Sequence, residues 1–314
     1  MITFIEIMKV IFMGNANVIY IDYLESYLDV LNSNFSKWFR KIIYKILNYC
    51  GYIKKKDNCL TLICIENGNI NKRMINNLIK KVTKYNINNL VFAEKFLEND
   101  EFISLFKNKF NILDGKWLYS FLIFNIVQKI AMIQNKKINE YELTILCNNP
   151  NEIVYENIKK LSQSCKVLNI LTKNSEKFNN IEKILYEKNS LLLNVSTNKE
   201  KVCLFSDIII NIDFDTEELQ ECNLKLESIL IQCTKEKLEK KLKAVITFYR
   251  LSFDKSYMSF FNKNRNFEEE ILYESLLYYP ISLESMEKFL LRDNVKIKSF
   301  EGLHGKIKFR ELVI

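Results

Sequence analysis

The stretch Thr144-Ile145-Leu146-Cys147-Asn148-Asn149-Pro150-Asn151-Glu152, "TILCNNPNE", decides how this chain is read. Its first half is a short apolar run of the kind that forms a buried strand. Its second half reads as a helix start, with Asn149 as the N-cap, Pro150 at the first helical position and Glu152 at the third. That arrangement is close to a capping box. A buried strand running directly into a capped helix is the repeating unit of an α/β sheet.

The same unit recurs on the C-terminal side. KVLNIL reads as a strand, Ser175–Lys188 as a helix with Phe178, Ile181 and Leu185 inward, LLLNV as a strand and DIIINID as another. Strands that are continuous apolar runs and alternate with helices imply a parallel sheet covered on both faces. Beyond Asp213, "KLESILIQ" and "AVITFYRLS" read as further strands, and "FEEEILYESLLYY" and "LESMEKFLLR" as helices, in a tail able to extend the sheet and return over the first domain.

On the N-terminal side, a turn at Asp114-Gly115 opens a long apolar helix over about 116–134. A spanning helix needs roughly 20 mostly apolar residues, whereas Asn125, Gln128 and Lys129 interrupt this one, so it reads as a core helix and not a transmembrane segment. Upstream, "CLTLICIENGN", "NKRMINNLIKKVTKY" and "NNLVFAE" make a β-α-β run, and two apolar runs around Gly14-Asn15-Ala16-Asn17 suit a hairpin. The expected fold is therefore α/β. A smaller α/β domain over 1–115 precedes a parallel-sheet domain over 116–314 that carries a C-terminal extension.

"ELTILCNNPNE", "KVLNILTKNSEKF" and "SDIIINID" resemble the Rossmann-like nucleotide-binding superfamily, and loosely the shikimate dehydrogenase group. In that group a strand often ends in Thr or Asn plus a basic residue, and a later strand reads "ADIVIN". The long helix after Gly115 is similar in position to the group's interdomain helix. The resemblance implies a cofactor at Asn148 and Asn149 in the first strand-to-helix turn and at Thr172, Lys173 and Asn174 after the next strand. Thr172-Lys173-Asn174 stands where an acidic residue would hold a ribose 2′-hydroxyl, so the implied cofactor is NADP and not NAD. "TKNSEK" reads equally as a plain loop with a helix cap at Asn174 or Ser175.

The departures from the superfamily pattern weigh against a working cofactor site. In G-x-G-x-x-G the glycines make the tight turn and let the backbone approach the pyrophosphate. Between Lys116 and Glu301 this chain has no glycine. Asn148 or Asn149 can supply a left-handed residue, since Asn tolerates that conformation better than other side chains, but each brings a Cβ and an amide. Glu152 adds negative charge where a phosphate would bind.

No catalytic residue is assigned. The only histidine, His304, lies in "EGLHGK" and reads as a surface turn. The paired Lys motif of the shikimate dehydrogenase group is not visible upstream of Asp114. Asp213 and Asp215 end an apolar strand and either face the ligand crevice or join Glu217 and Glu218 in a solvated acidic loop. The eight cysteines include no C-x-x-C pair, which with a single histidine excludes the usual zinc sites. Cys147 and Cys64 sit in apolar runs, where cysteine acts as a small hydrophobe, and with no convincing signal peptide the expectation is a cytoplasmic protein.

Charge is uneven. Residues 1–150 hold 20 Lys+Arg against 13 Asp+Glu, while residues 151–314 hold 26 against 25. The excess centres on "SKWFRKIIYKILNYCGYIKKK" at 36–56, a basic amphipathic helix candidate with Lys37, Arg40, Lys41 and Lys45 on one face. Such a face suits an anionic membrane surface or a phosphate backbone, or simply lies in water while Trp38, Ile42, Ile46 and Tyr49 pack inward. The leading functional expectation is a non-catalytic binding or regulatory module on a degenerate Rossmann-like domain. The alternatives are an NADP-dependent oxidoreductase and a polyanion- or membrane-surface-associated protein acting through residues 36–56.

Overall fold

The computed structural model describes residues 18–24, 52–56, 59–65, 72–84, 86–97, 100–189, 193–234, 242–254, 267–277 and 282–313. The chain divides into two compact units: residues 1–115 together with 255–282, and residues 116–254 together with 283–314. Residues 267–277, described residues of a stretch expected in the second domain, group with the first unit. Both units are α/β.

In the first unit, strands β1 (Val18–Leu24), β2 (Tyr52–Lys56), β3 (Cys59–Ile65), β4 (Asn89–Phe92) and β5 (Asn111–Leu113) form one sheet in the order β2-β3-β1-β4-β5. All neighbours run parallel except β2 and β3. β1 is the parallel partner of β3 and β4, while the turn at Gly14–Asn17 and the first run of the expected hairpin lie outside the described residues. One expectation changes here: residues 52–56 of the basic stretch are strand, not helix. Lys37, Arg40, Lys41 and Lys45 lie outside the described residues. The helix Lys72–Thr83 buries Ile75, Leu78 and Val82, residues that share one helical face. The helix Glu269–Leu277 packs against β4 and β5 and is buried on nearly every side.

In the second unit, β6 (Glu142–Leu146), β7 (Val167–Leu171), β8 (Leu193–Ser196), β9 (Ile208–Asn211), β10 (Ile229–Gln232) and β11 (Ala244–Ile246) form a six-stranded, wholly parallel sheet. Its order is β11-β10-β9-β6-β7-β8. Counted from the first strand of the domain, this is the doubly wound order of the Rossmann-like fold. Every residue of β9 and β10 is buried, as a sheet covered on both faces requires. The expected strand "AVITFYRLS" is two: β11 ends at Ile246 and β12 (Phe248–Ser252) turns away into a small antiparallel sheet with β13 (Lys296–Gly302) and β14 (Gly305–Lys306). Gly302 lets β13 lie against β11, since a Cβ there would stand 2.7 Å from the Val245 carbonyl oxygen.

The expected long helix is likewise two, Lys116–Phe121 and Ile123–Ile133, with Leu122 between them. Asn157, buried on the helix Glu152–Ser162, bridges the break. Its Nδ2 donates to the Ser120 carbonyl oxygen at 2.8 Å, and its Oδ1 accepts from the Phe124 N–H at 3.1 Å. Both backbone groups freed by the break are therefore satisfied by one side chain.

Asparagine also does glycine's work at helix ends. Asn86, Asn135 and Asn294 have positive φ, each just past a helix. After Asn135 and Asn294, Lys136 and Val295 donate to Ala131 and Leu290, the six-to-one bond of a Schellman ending. Asn is the side chain that tolerates this backbone best after Gly.

Candidate functional site at the sheet switch point

In open α/β sheets ligands bind beyond the carboxyl ends of the strands, where the strand order reverses. Here that point lies between β6 and β9, which pair in parallel with Leu146 opposite Asn211. Two residues past each partner stand Asn148 and Asp213, so the register itself sets them face to face.

They are bonded. The Asn148 N–H donates to Asp213 Oδ1 and the Asn149 N–H to Asp213 Oδ2, both at 2.7 Å. One carboxylate therefore takes two successive backbone donors, in short charge-assisted bonds. Asn148 reaches further through its side chain. Its Nδ2 donates to Glu218 Oε1 at 2.9 Å and its Oδ1 accepts from the Lys173 N–H at 2.8 Å. The Lys173 ammonium pairs with Glu218 at 2.6 Å. The Lys177 ammonium donates to the Asn148 carbonyl at 3.1 Å and to Asn149 Oδ1 at 2.7 Å. The ends of β6, β7 and β9 are thereby tied into one network.

The helix start differs from the expected one. The N-cap is Asn151, whose side chain accepts from the Val154 N–H at 3.0 Å, and Glu152 is the first helical residue. Asn149 is not the cap because its N–H and its side chain are committed to Asp213 and Lys177. Nor does the turn use a left-handed residue at Asn148 or Asn149. Among the described non-glycine residues only Asn86, Asn135 and Asn294 have positive φ. The turn needs no glycine because its backbone never enters the region that favours one.

Past β9, a buried turn fixes Asp213. Asn211 Nδ2 donates to the Phe214 carbonyl and to Gln232 Oε1, and its Oδ1 accepts from the Phe214 N–H. Asp215 then caps the helix Thr216–Glu221 in a reciprocal box with Glu218. The acidic run is thus neither all crevice nor all solvated loop: Asp213 meets the turn, Asp215 caps and Glu218 is buried. Burial pushes the Glu218 carboxyl upward, but the Lys173 ammonium, the Asp215 N–H and the Asn148 amide outweigh it and hold the pKa below the usual value. Lys173 is shifted up by the same pairing. Beside them the Cys147 thiol is pushed up to about 12, first by burial and then by the Asp213 charge. A thiol so placed is not a nucleophile at neutral pH.

Of the residues picked out from the sequence, Asn148, Asn149 and Lys173 come together in this network. Thr172 is buried, and its hydroxyl accepts from the Asn174 N–H at 3.1 Å; Asn174 precedes a short 3-10 turn without capping it through its side chain. The Asn148 and Asn149 N–H groups both donate to Asp213. Sequence reading missed Lys177 and the pairing of Asp213 with the turn. The available sign was an acidic residue two positions past a buried strand, opposite a strand end rich in backbone donors.

No protein-family model matches the chain, and no curated protein sequence matches it. Solved structures that match the chain include a putative aspartate carbamoyltransferase from Trypanosoma cruzi, 9% identical with a TM-score of 0.29, covering 83% of this chain and 80% of that one. Another is L-tryptophan dehydrogenase from Nostoc punctiforme, 9% identical with a TM-score of 0.32, covering 88% and 79%. Neither belongs to the shikimate dehydrogenase group. Similarity this low bears on neither substrate nor reaction, and the Rossmann-like assignment rests on the strand order itself.

Among the described residues no helix is long and apolar enough to cross a membrane, and no three His, Cys, Asp or Glu side chains group as a metal site.

Proposed function

We propose that this protein is a non-catalytic binding or regulatory module built on a degenerate Rossmann-like domain. One observation carries the reading: the Asp213 carboxylate takes the Asn148 and Asn149 N–H groups at the switch point, where a dinucleotide enzyme would offer donors to a pyrophosphate. Three further features support it. The first turn has no glycine, Lys173 is engaged with Glu218 instead of standing free for a 2′-phosphate, and Cys147 is a buried neutral thiol. The buried free thiols Cys147, Cys165, Cys203 and Cys222 suit a reducing compartment such as the cytoplasm.

The test is a thermal-shift titration of the full chain with NAD(H) and NADP(H), joined to an assay for reduction of keto acids. The expected result is no stabilisation and no turnover. A ligand at 100 times its Kd stabilises by about 2.7 kcal/mol, so real binding would be plain. NADPH-dependent turnover would replace this reading with the oxidoreductase one. The third possibility, an anionic surface bound through Lys37, Arg40, Lys41 and Lys45, would show as salt-dependent binding lost on charge reversal of Arg40 and Lys41.

A further inference from the structure

The geometry points to Asp213 as a built-in anion, a carboxylate of the chain's own that occupies the phosphate position of the crevice and closes it to anionic ligands. This rests on the reading above and assigns the residue that performs the closure.

Three observations converge on it. The first is donor geometry. Two consecutive backbone N–H groups, at 2.7 Å each, converge on separate oxygens of one carboxylate, an arrangement of the sort that backbone nests offer to oxyanions. The second is placement. The β6–β9 register brings Asp213 opposite Asn148, and the Asn211 side chain pins the connecting turn by bonding both the N–H and the C=O of Phe214. The carboxylate is delivered by a braced backbone, not by a freely swinging loop. The third is charge. Lys177 donates to the same turn, to the Asn148 carbonyl and the Asn149 side chain, and the N-terminus of the helix Glu152–Ser162 follows it. These groups favour an anion at the turn, and Asp213 is the anion that takes its backbone N–H groups.

A tethered carboxylate acts at a high effective concentration, so a free phosphate must displace it before it meets the same donors. Without the carboxylate, the two N–H groups lose their acceptor while Lys177 remains. The turn should then accept a phosphate-class anion from solution. Asp215 and Glu218 stay nearby, and their negative charge limits the affinity gained, so the expected change is a modest gain from a very weak starting point.

The experiment uses the full chain as wild type, Asp213→Ala and Asp213→Asn, with inorganic pyrophosphate as the probe in isothermal titration and thermal shift. Wild type should show no saturable binding at millimolar pyrophosphate. Asp213→Ala should bind at least about tenfold tighter, and Asp213→Asn, which keeps one acceptor for the turn, less tightly than Asp213→Ala. A folded Asp213→Ala that binds pyrophosphate no better than wild type overturns the inference.

Should both variants fail to fold, amide NMR of wild type decides. Asn148 and Asn149 N–H signals that stay fixed during a pyrophosphate titration support closure by Asp213, and saturable shifts overturn it. The two proposals fail separately. NADPH turnover by wild type removes the proposed function, whereas unchanged pyrophosphate affinity in folded Asp213→Ala removes only the role of Asp213.

Discussion

The side chains around Pro150 divide their labour by what each can reach, and that division was only half visible in the sequence. A buried strand followed by "NNPNE" was enough to place a strand-to-helix turn there. Two asparagines within three residues made the cap ambiguous, since both have the same chemistry. What separated them was long-range: Asp213 and Lys177, far along the chain, claimed Asn149 and left Asn151 to cap. The two residues can therefore be told apart by stability. Asn151→Ala removes the acceptor of the Val154 N–H and should cost about 1 kcal/mol. Asn149→Ala keeps its N–H bond to Asp213 and loses an exposed contact with Lys177, so it should stay within about 0.5 kcal/mol of wild type. Urea unfolding of the two variants gives the comparison. Equal losses would mean that the cap is shared.

At the scale of elements, strands were legible and junctions were not. Continuous apolar runs such as "DIIIN" and "ESILIQ" mark strands buried on both faces, because three successive apolar residues in a short run between turns suit a strand whose two faces both meet the core. The order in which such strands pair leaves no mark on the individual runs. The break at Leu122 was also invisible: "KWLYSFLIFNIVQKIAMI" contains no Gly or Pro, and its apolar pattern continues through the break. The break is stabilised from outside, by Asn157 on another helix. Asn157→Ala should therefore leave the Phe124 N–H and the Ser120 carbonyl unsatisfied next to a buried gap, and cost about 1–3 kcal/mol. Asn157→Asp is the informative companion. It keeps the acceptor for Phe124 but loses the donor to Ser120 and buries a charge, so it should be at least as damaging. Guanidinium unfolding of both variants measures this. A loss well below about 1 kcal/mol in both would show that the two helices hold their break without help.

At the scale of the whole molecule, the chain returns to its first unit late, and this was the least legible feature of all. A sequence can be cut into domains by pattern, but a segment that leaves one core to complete another carries only its own amphipathicity. For Glu269–Leu277 even that was uninformative, since the helix is buried on nearly every side. Its partners are fixed in the first unit. Ser275 Oγ is 2.9 Å from the Tyr20 hydroxyl, the Glu274 carboxylate accepts the Gly115 N–H at 3.1 Å, and Phe267 meets the edge of the Tyr20 ring. A fragment of residues 116–314 therefore carries a helix whose core is missing. Ile271, Leu272, Tyr273 and Leu277 would face water in it, together with the carboxylates of Glu270 and Glu274. We expect that fragment to bind ANS and to unfold over a broad transition. The same fragment with 255–282 replaced by a flexible Gly/Ser linker of about 15 residues should unfold sharply and bind little dye, because what remains is one complete core around a six-stranded sheet. Calorimetry with dye titration on the two fragments distinguishes the cases. Sharp, dye-free unfolding of the uncut 116–314 fragment would mean that the helix finds its burial within the second unit, and that the division of the chain lies at residue 115 alone.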